Sequence, residues 1–168
     1  MLIYPALNND HPGGKKLLTE LISLEESETG KRNELVTKIR DALIPHSRAE
    51  EAVFYNSLRS VNQDKMEVMR GYAEHMAAEG LLRALQLGDK VNVGWKATAE
   101  ALKTALEHHI QEEETTLFDA AKEVFTQQEA EQIGKAFANL KPKIKEESIL
   151  QTTADMMKNM MPPRFVER

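Results

Sequence analysis

Cysteine is absent from the 168 residues. That excludes disulfides, thiolate metal sites and a cysteine nucleophile, and it fits a reducing compartment. Aromatic residues make up only 5%, and strand-like alternation is scarce, so a sheet-rich fold is not expected. No apolar run approaches the roughly 20 residues that span a bilayer. Positive charge is not in excess either. A formal net charge of −5 gives no electrostatic reason to expect nucleic acid or anionic membrane as a partner. The opening Met1-Leu2-Ile3-Tyr4-Pro5 lacks the basic segment and long apolar run of a signal peptide. The expected compartment is the cytoplasm.

What is present is helical. Long stretches rich in Ala, Leu, Glu and Lys favour helix, and the chain length suits one domain with a real core. Punctuation predicts a first helix from about Pro12 to Glu26, then the turn Ser27-Glu28-Thr29-Gly30. A second runs from about Lys31 to Ser60, and a third from about Gln63 to Leu87 with Asn62 as its N-cap. After the turn Gly88-Asp89-Lys90-Val91-Asn92, a fourth continues to about Val124. Thr126-Gln127-Gln128-Glu129 then reads as a capping box opening a fifth helix that fades near Pro142. Long helices joined by short turns pack as an all-α, antiparallel up-down four-helix bundle, here with an additional C-terminal helix and a tail.

The domain expected over residues 1–146 is this bundle, and residues 147–168 form a tail of different character. Met156, Met157, Met160 and Met161 precede Pro162-Pro163 there. Such a segment suits adaptable apolar packing on the bundle, or a partner contact such as a homodimer interface.

Five histidines carry the functional information: His11, His46, His75, His108 and His109. On the second helix Ile39, Leu43, His46, Glu50 and Val53 recur at three- and four-residue steps and share one face. Leu102, Leu106, His109, Glu113 and Leu117 do the same on the fourth, and Val68, Tyr72, His75, Glu79 and Leu82 on the third. Each stripe is apolar except for a His and a Glu four residues later. Buried charge is costly unless paired or bound to metal, so a threefold repeat of the pattern needs a cause.

Heights along the bundle agree. Residues on adjacent antiparallel helices are level when they lie equally far from the turn between them. The midpoint of His11 and His46 falls within Ser27–Gly30, that of His46 and His75 at Ser60-Val61-Asn62, and that of His75 and His109 at Asn92. One histidine from each of four helices therefore reaches the same level. Glu50 and Glu113 lie one turn, about 6 Å, beyond that layer on the same side, because their helices run parallel. They are placed to bridge two metal ions. Glu79, on a helix running the other way, lies on the opposite side and could serve one ion only. His108 cannot face inwards together with His109, since successive residues point about 100° apart. The stripe chooses His109 and leaves His108 solvated or standing behind the ligands.

Imidazole and carboxylate without thiolate suit iron, manganese or zinc, and a carboxylate-bridged pair in a bundle favours iron or manganese. With these residues placed, the chain resembles the hemerythrin-like, or HHE cation-binding, domain family. The likeness lies in Asp10-His11, His46-Ser-Arg-Ala-Glu50-Glu51, Glu74-His75 and His109-Ile-Gln-Glu-Glu113-Glu114-Thr-Thr-Leu-Phe118, with Pro45 and Tyr55 in support, over about residues 8–124. The resemblance implies two non-haem iron ions joined by carboxylate or oxo bridges. His11 and His46 would bind one iron, His75 and His109 the other, and Glu50 and Glu113 would bridge.

Two departures bear on function. Oxygen-carrying members have a histidine four residues after the third-helix histidine, where this chain has Glu79. They also have an aspartate five residues after the fourth-helix histidine, where Glu113 stands four after and Glu114 five after. A coordinating Glu79 would stabilise ferric iron and oppose simple reversible oxygen carriage. Pro12-Gly13-Gly14 after His11 also makes a poor helix start. Three readings stand open: a module that binds or senses oxygen, nitric oxide, peroxide, iron or redox state; an enzyme acting on peroxide or oxygen; and a metal-free helical interaction module.

Overall fold

A computed structural model describes residues 1–61, 65–88, 94–144 and 158. The described residues are helical, with no strand among them. A short α1 (Ile3–Asn8) leads into α2 (His11–Ile22). The second long rod is α3 (Thr29–Glu50), a π turn (Glu51–Tyr55) and α4 (Asn56–Val61). α5 (Met66–Leu87) is the third. The fourth repeats the pattern of the second: α6 (Trp95–Glu112), a π turn (Glu113–Leu117) and α7 (Phe118–Val124). α8 (Gln127–Leu140) follows, ending in a 3-10 turn (Lys141–Lys143). α2 packs on α3 and α6, and α5 on α6 and α3, which closes the four-helix ring.

Local chemistry sets the ends. Thr126 Oγ1 accepts from the Glu129 amide at 3.3 Å while Glu129 accepts from the Thr126 amide at 2.8 Å, the reciprocal box read from the sequence. Gly88 ends α5 at φ 53°, a conformation open to glycine at little cost. The expected Asn62 cap, most of the turn after Gly88 and the methionines of the tail lie outside the described residues. The first helix starts at His11 and stops at Ile22, earlier than its expected end. Pro12 does not spoil that start, because its missing N–H falls where a helix has no acceptor to offer. The helix before it, α1, carries no such sequence signal. Ile3 and Leu7 bury completely and hold it to the bundle.

Two cores lie on either side of the histidine layer. One is aliphatic, with Leu18, Leu21, Leu35, Ile39, Leu82 and Leu102. The other gathers the aromatic side chains Phe54, Tyr55, Tyr72, Phe118 and Phe137 among aliphatic ones such as Ile3, Leu7 and Leu58. Ile39 precedes His46 and Phe54 follows it on the second rod, while Tyr72 precedes His75 and Leu82 follows it on α5. Antiparallel packing therefore stacks the two kinds of side chain at opposite ends. Each fully buried large side chain contributes about 1.5–3 kcal/mol, so the polar layer is flanked by most of the stabilising surface.

Candidate metal centre

The four inward histidines are buried, as are Glu50 and Glu113, which are completely shielded. His11 sits in the first turn of α2, His46 and Glu50 in the last turns of α3, His75 mid-way along α5, and His109 and Glu113 where α6 passes into its π turn. His108 points away, with its side chain 61% exposed.

Two groups of potential donors form. His11, His46 and Glu113 converge in one, and Glu50, His75 and His109 in the other, with the ligand atoms of each group within 4.8 Å of one another. The glutamates tie the groups together. Glu50 Oε2 lies 3.3 Å from His75 Nε2 and 3.7 Å from His46 Nε2. Glu113 Oε2 lies 3.5 Å from both His11 Nε2 and His109 Nε2. Each carboxylate thus stands between one imidazole of either group.

Every inward imidazole is backed by a carboxylate at Nδ1. The partners are Glu114 for His11 at 2.7 Å, Asp10 for His46 at 3.0 Å, Glu51 for His75 at 2.9 Å and Glu74 for His109 at 2.9 Å. A carboxylate accepts, so each Nδ1–H donates and each Nε2 is left with a lone pair aimed inwards. The Nε2 atoms of His75 and His109 are 3.1 Å apart. Two bare lone pairs at that distance repel unless a proton or cation lies between them.

The carboxylates make the same demand. Among the described residues both oxygens of Glu50, both of Glu113 and Nε2 of His11 are buried without a hydrogen-bond partner. Two ionised carboxylates cannot share this interior without a counter-ion. Burial, and then the neighbouring Glu113, push the Glu50 carboxyl well above its ordinary value. Burial also raises Glu113, but the His109 and His11 rings 3.5 Å away outweigh it and hold that carboxyl below its ordinary value. Burial lowers His46 against the pull of Asp10, which keeps the ring neutral and fit to ligate. The residues therefore fit a pair of cations.

Glu79 is not brought into either group. It is buried on the expected face, yet Oε2 pairs with Arg48 and Oε1 accepts from Arg83 at 3.0 Å. Arg48 is itself buried and also donates to both oxygens of Glu51 at 3.2 Å. One guanidinium therefore joins Glu79 to the carboxylate behind His75. The stripe predicted the face of Glu79; Arg48, on a neighbouring helix, decides what it meets.

A cavity of about 60 Å³ lies against His11, His46, His75 and His109, with Leu43, Ala78, Leu82 and Leu106 in its wall. Gly14 opens one side of it, since a Cβ there would fall 3.2 Å from both Leu43 Cδ2 and Leu106 Cδ2. On the aromatic side the Tyr55 ring stacks on His75, with centroids 5.3 Å apart and planes 17° from parallel.

The backing acids escaped the sequence reading, although a signal existed. Asp10, Glu51, Glu74 and Glu114 each adjoin a donor in the chain, as Asp10-His11, Glu50-Glu51, Glu74-His75 and Glu113-Glu114. The π turns escaped it too. Beside them Tyr72 Oη donates to the Glu51 carbonyl at 3.4 Å, and Thr115 Oγ1 donates to the Gln111 carbonyl at 2.7 Å.

No curated protein and no solved structure matches the chain. The sequence model of the hemerythrin HHE cation binding domain matches residues 2–121, which include all four inward histidines, Glu50 and Glu113. With that match covering well over half its length, the chain belongs to the hemerythrin HHE cation-binding family.

Proposed function

We propose that this protein holds two non-haem iron ions and binds a small ligand beside them: dioxygen, nitric oxide or peroxide. His11, His46 and Glu113 would hold one ion, Glu50, His75 and His109 the other, with both glutamates bridging. The observation that carries this reading is the set of four buried, unpartnered oxygens of Glu50 and Glu113, lying between imidazoles of both groups. A metal-free interaction module would leave those oxygens uncompensated.

Iron, when bound, supplies one-electron chemistry and affinity for oxygen-type ligands. The chain supplies the rest. Carboxylates behind the rings fix the tautomer that aims Nε2 inwards, and Leu43, Ala78, Leu82 and Leu106 give the cavity beside them an apolar wall. Burial raises the Glu50 carboxyl well above its ordinary value in the metal-free protein, so a cation held there would compete with a proton. Binding or sensing is favoured over turnover because the cavity's other polar side chains are engaged. Asp10 meets His46 and Lys141, Ser47 donates to the carbonyls of Leu43 and Ile44, and Glu79 meets Arg48 and Arg83. No general acid or base is poised there among the described residues. Glu79 is not proposed as a ligand. A cytoplasmic setting forms part of the same proposal.

Metal analysis with an ultraviolet-visible spectrum of protein made in iron-replete cells tests it. The expected result is two irons per chain with near-ultraviolet charge-transfer absorption. No more than one tightly held metal in well-loaded protein would overturn the dinuclear assignment. Catalytic oxygen evolution from peroxide would move the protein to the enzymes.

A further inference from the structure

The family match ends at residue 121, yet the chain beyond it reaches the metal layer. α8 lies on α1 and against the first π turn, and the turn Lys141–Lys143 lies on α3. Gly134 makes this approach so close that a Cβ there would stand 2.4 Å from the Met1 carbonyl oxygen and 2.9 Å from the Ile3 amide nitrogen. Two side chains of this region then meet His46 or its partner. Phe137, buried, sets a ring against the His46 ring, with centroids 5.6 Å apart and planes at 82°. Lys141 Nζ donates to Asp10 Oδ1 at 2.8 Å and Oδ2 at 2.6 Å, and Oδ2 is the atom that accepts from His46 Nδ1 at 3.0 Å.

The result is a chain of contacts from ammonium to carboxylate to imidazole. Lys141 holds both oxygens of Asp10, so it fixes the carboxylate's rotation and the bearing of the His46 ring with it. It also draws charge from the oxygen that His46 uses. The counterpart behind His75 is Arg48, which belongs to the bundle itself. The two donor groups are thus supported from different parts of the chain.

We propose that α8 and its terminal turn are a working part of the metal centre. Lys141 is a positioning residue that acts through Asp10 on His46 and sets how firmly the His11, His46 and Glu113 group retains its ion. This inference rests on the dinuclear reading above. Removal of such an outer partner typically costs 10–100-fold in metal affinity.

Release of metal from full-length, cobalt(II)-loaded protein into excess chelator, followed optically and by metal analysis, tests it. In Lys141→Met and Lys141→Gln one of the two ions should leave at least about tenfold faster than in wild type, the other at an unchanged rate. Lys141→Arg should restore slow release. In a His46→Ala background, which already lacks the ring concerned, Lys141→Met should add nothing. The metal-free variants should melt with wild type, since Lys141 is partly exposed. Wild-type release of both ions from Lys141→Met, or equal acceleration of both, overturns the positioning role. Uptake of a single cobalt by wild type overturns the dinuclear reading alone, provided that ion still leaves faster from Lys141→Met.

Discussion

The segments His46–Glu51 and His109–Glu114 are two copies of one pattern, a histidine followed after three residues by a pair of glutamates. Each passes into a π turn, and each offers its first glutamate to the donor layer and its second to the back of an imidazole. Behind the donors they differ. Glu51 is 0% exposed and faces Arg48, whereas the side chain of Glu114 is 40% exposed. The third residue of each copy goes with that difference: Arg48 in the first, Gln111 in the second. A buried backing carboxylate needs a built-in cation, and an exposed one is compensated by water. The same ligand pattern therefore carries two charge balances.

The sharpest way to break the contrast is to remove the cation from the buried copy. Arg48→Ala leaves Glu51 and Glu79 buried without it and should cost about 3–5 kcal/mol. Gln111→Ala, at the matching exposed position, should stay within about 0.5 kcal/mol of wild type. Urea unfolding of the metal-free proteins measures both, and equal losses would erase the distinction.

Next in size is a steric test of the same copy. A Cβ on Gly71 would fall 2.6 Å from Tyr55 Oη and 2.8 Å from its ring. Gly71→Ala should cost about 1–3 kcal/mol by overpacking and push the ring off His75. Thermal melts read the first effect. Recovery of stability when Tyr55→Leu is added would identify the clash as its source.

The first glutamates of the two copies should answer pH with opposite sign. The Glu50 carboxyl is raised in the folded protein, so its contribution is complete below the ordinary glutamate value and is lost as pH rises through the folded value. The Glu113 carboxyl is lowered, so its contribution is present above the ordinary value and lost as pH falls through the folded one. In metal-free protein, Glu50→Gln should raise the melting temperature by several degrees near pH 7 and leave it nearly unchanged below about pH 4. Glu113→Gln should lower it near pH 7. Parallel responses from the two variants would show that the pair does not divide its charge in this way.

The smallest expected effect is at the neighbour of the second copy's histidine. His108→Ala should keep the wild-type metal content, while His109→Ala loses metal. Metal analysis decides it, and the reverse result would shift the register of α6 by one residue.

Much of this was legible in the sequence for an identifiable reason. Side-chain period and chain distance from a turn are geometric, so the stripes and midpoints placed His11, His46, His75 and His109 on one level and turned His108 outwards. The capping box at Thr126 is local and was read whole. What a buried side chain touches is not periodic. Glu79 lies on the predicted face, but its partners Arg48 and Arg83 approach from a neighbouring rod and from the next turn of its own helix. The π turns were invisible because they add a single residue to a repeat already averaged over three and four. Lys141 is 131 residues from Asp10, and no spacing rule links them.

The π turns also determine how the molecule tolerates change. Each uses one residue more than an α turn, so the helix beyond it is indexed about 100° away from the helix before it. Both dislocations lie at the boundary between the donor layer and the aromatic core, on rods that run parallel. The bundle therefore has two angular settings, one for the metal-facing side chains and another for Phe54, Tyr55 and Phe118. Deleting one residue within Glu51–Tyr55 would remove the joint. The rod would then run as continuous α-helix and carry its aromatic side chains out of the core.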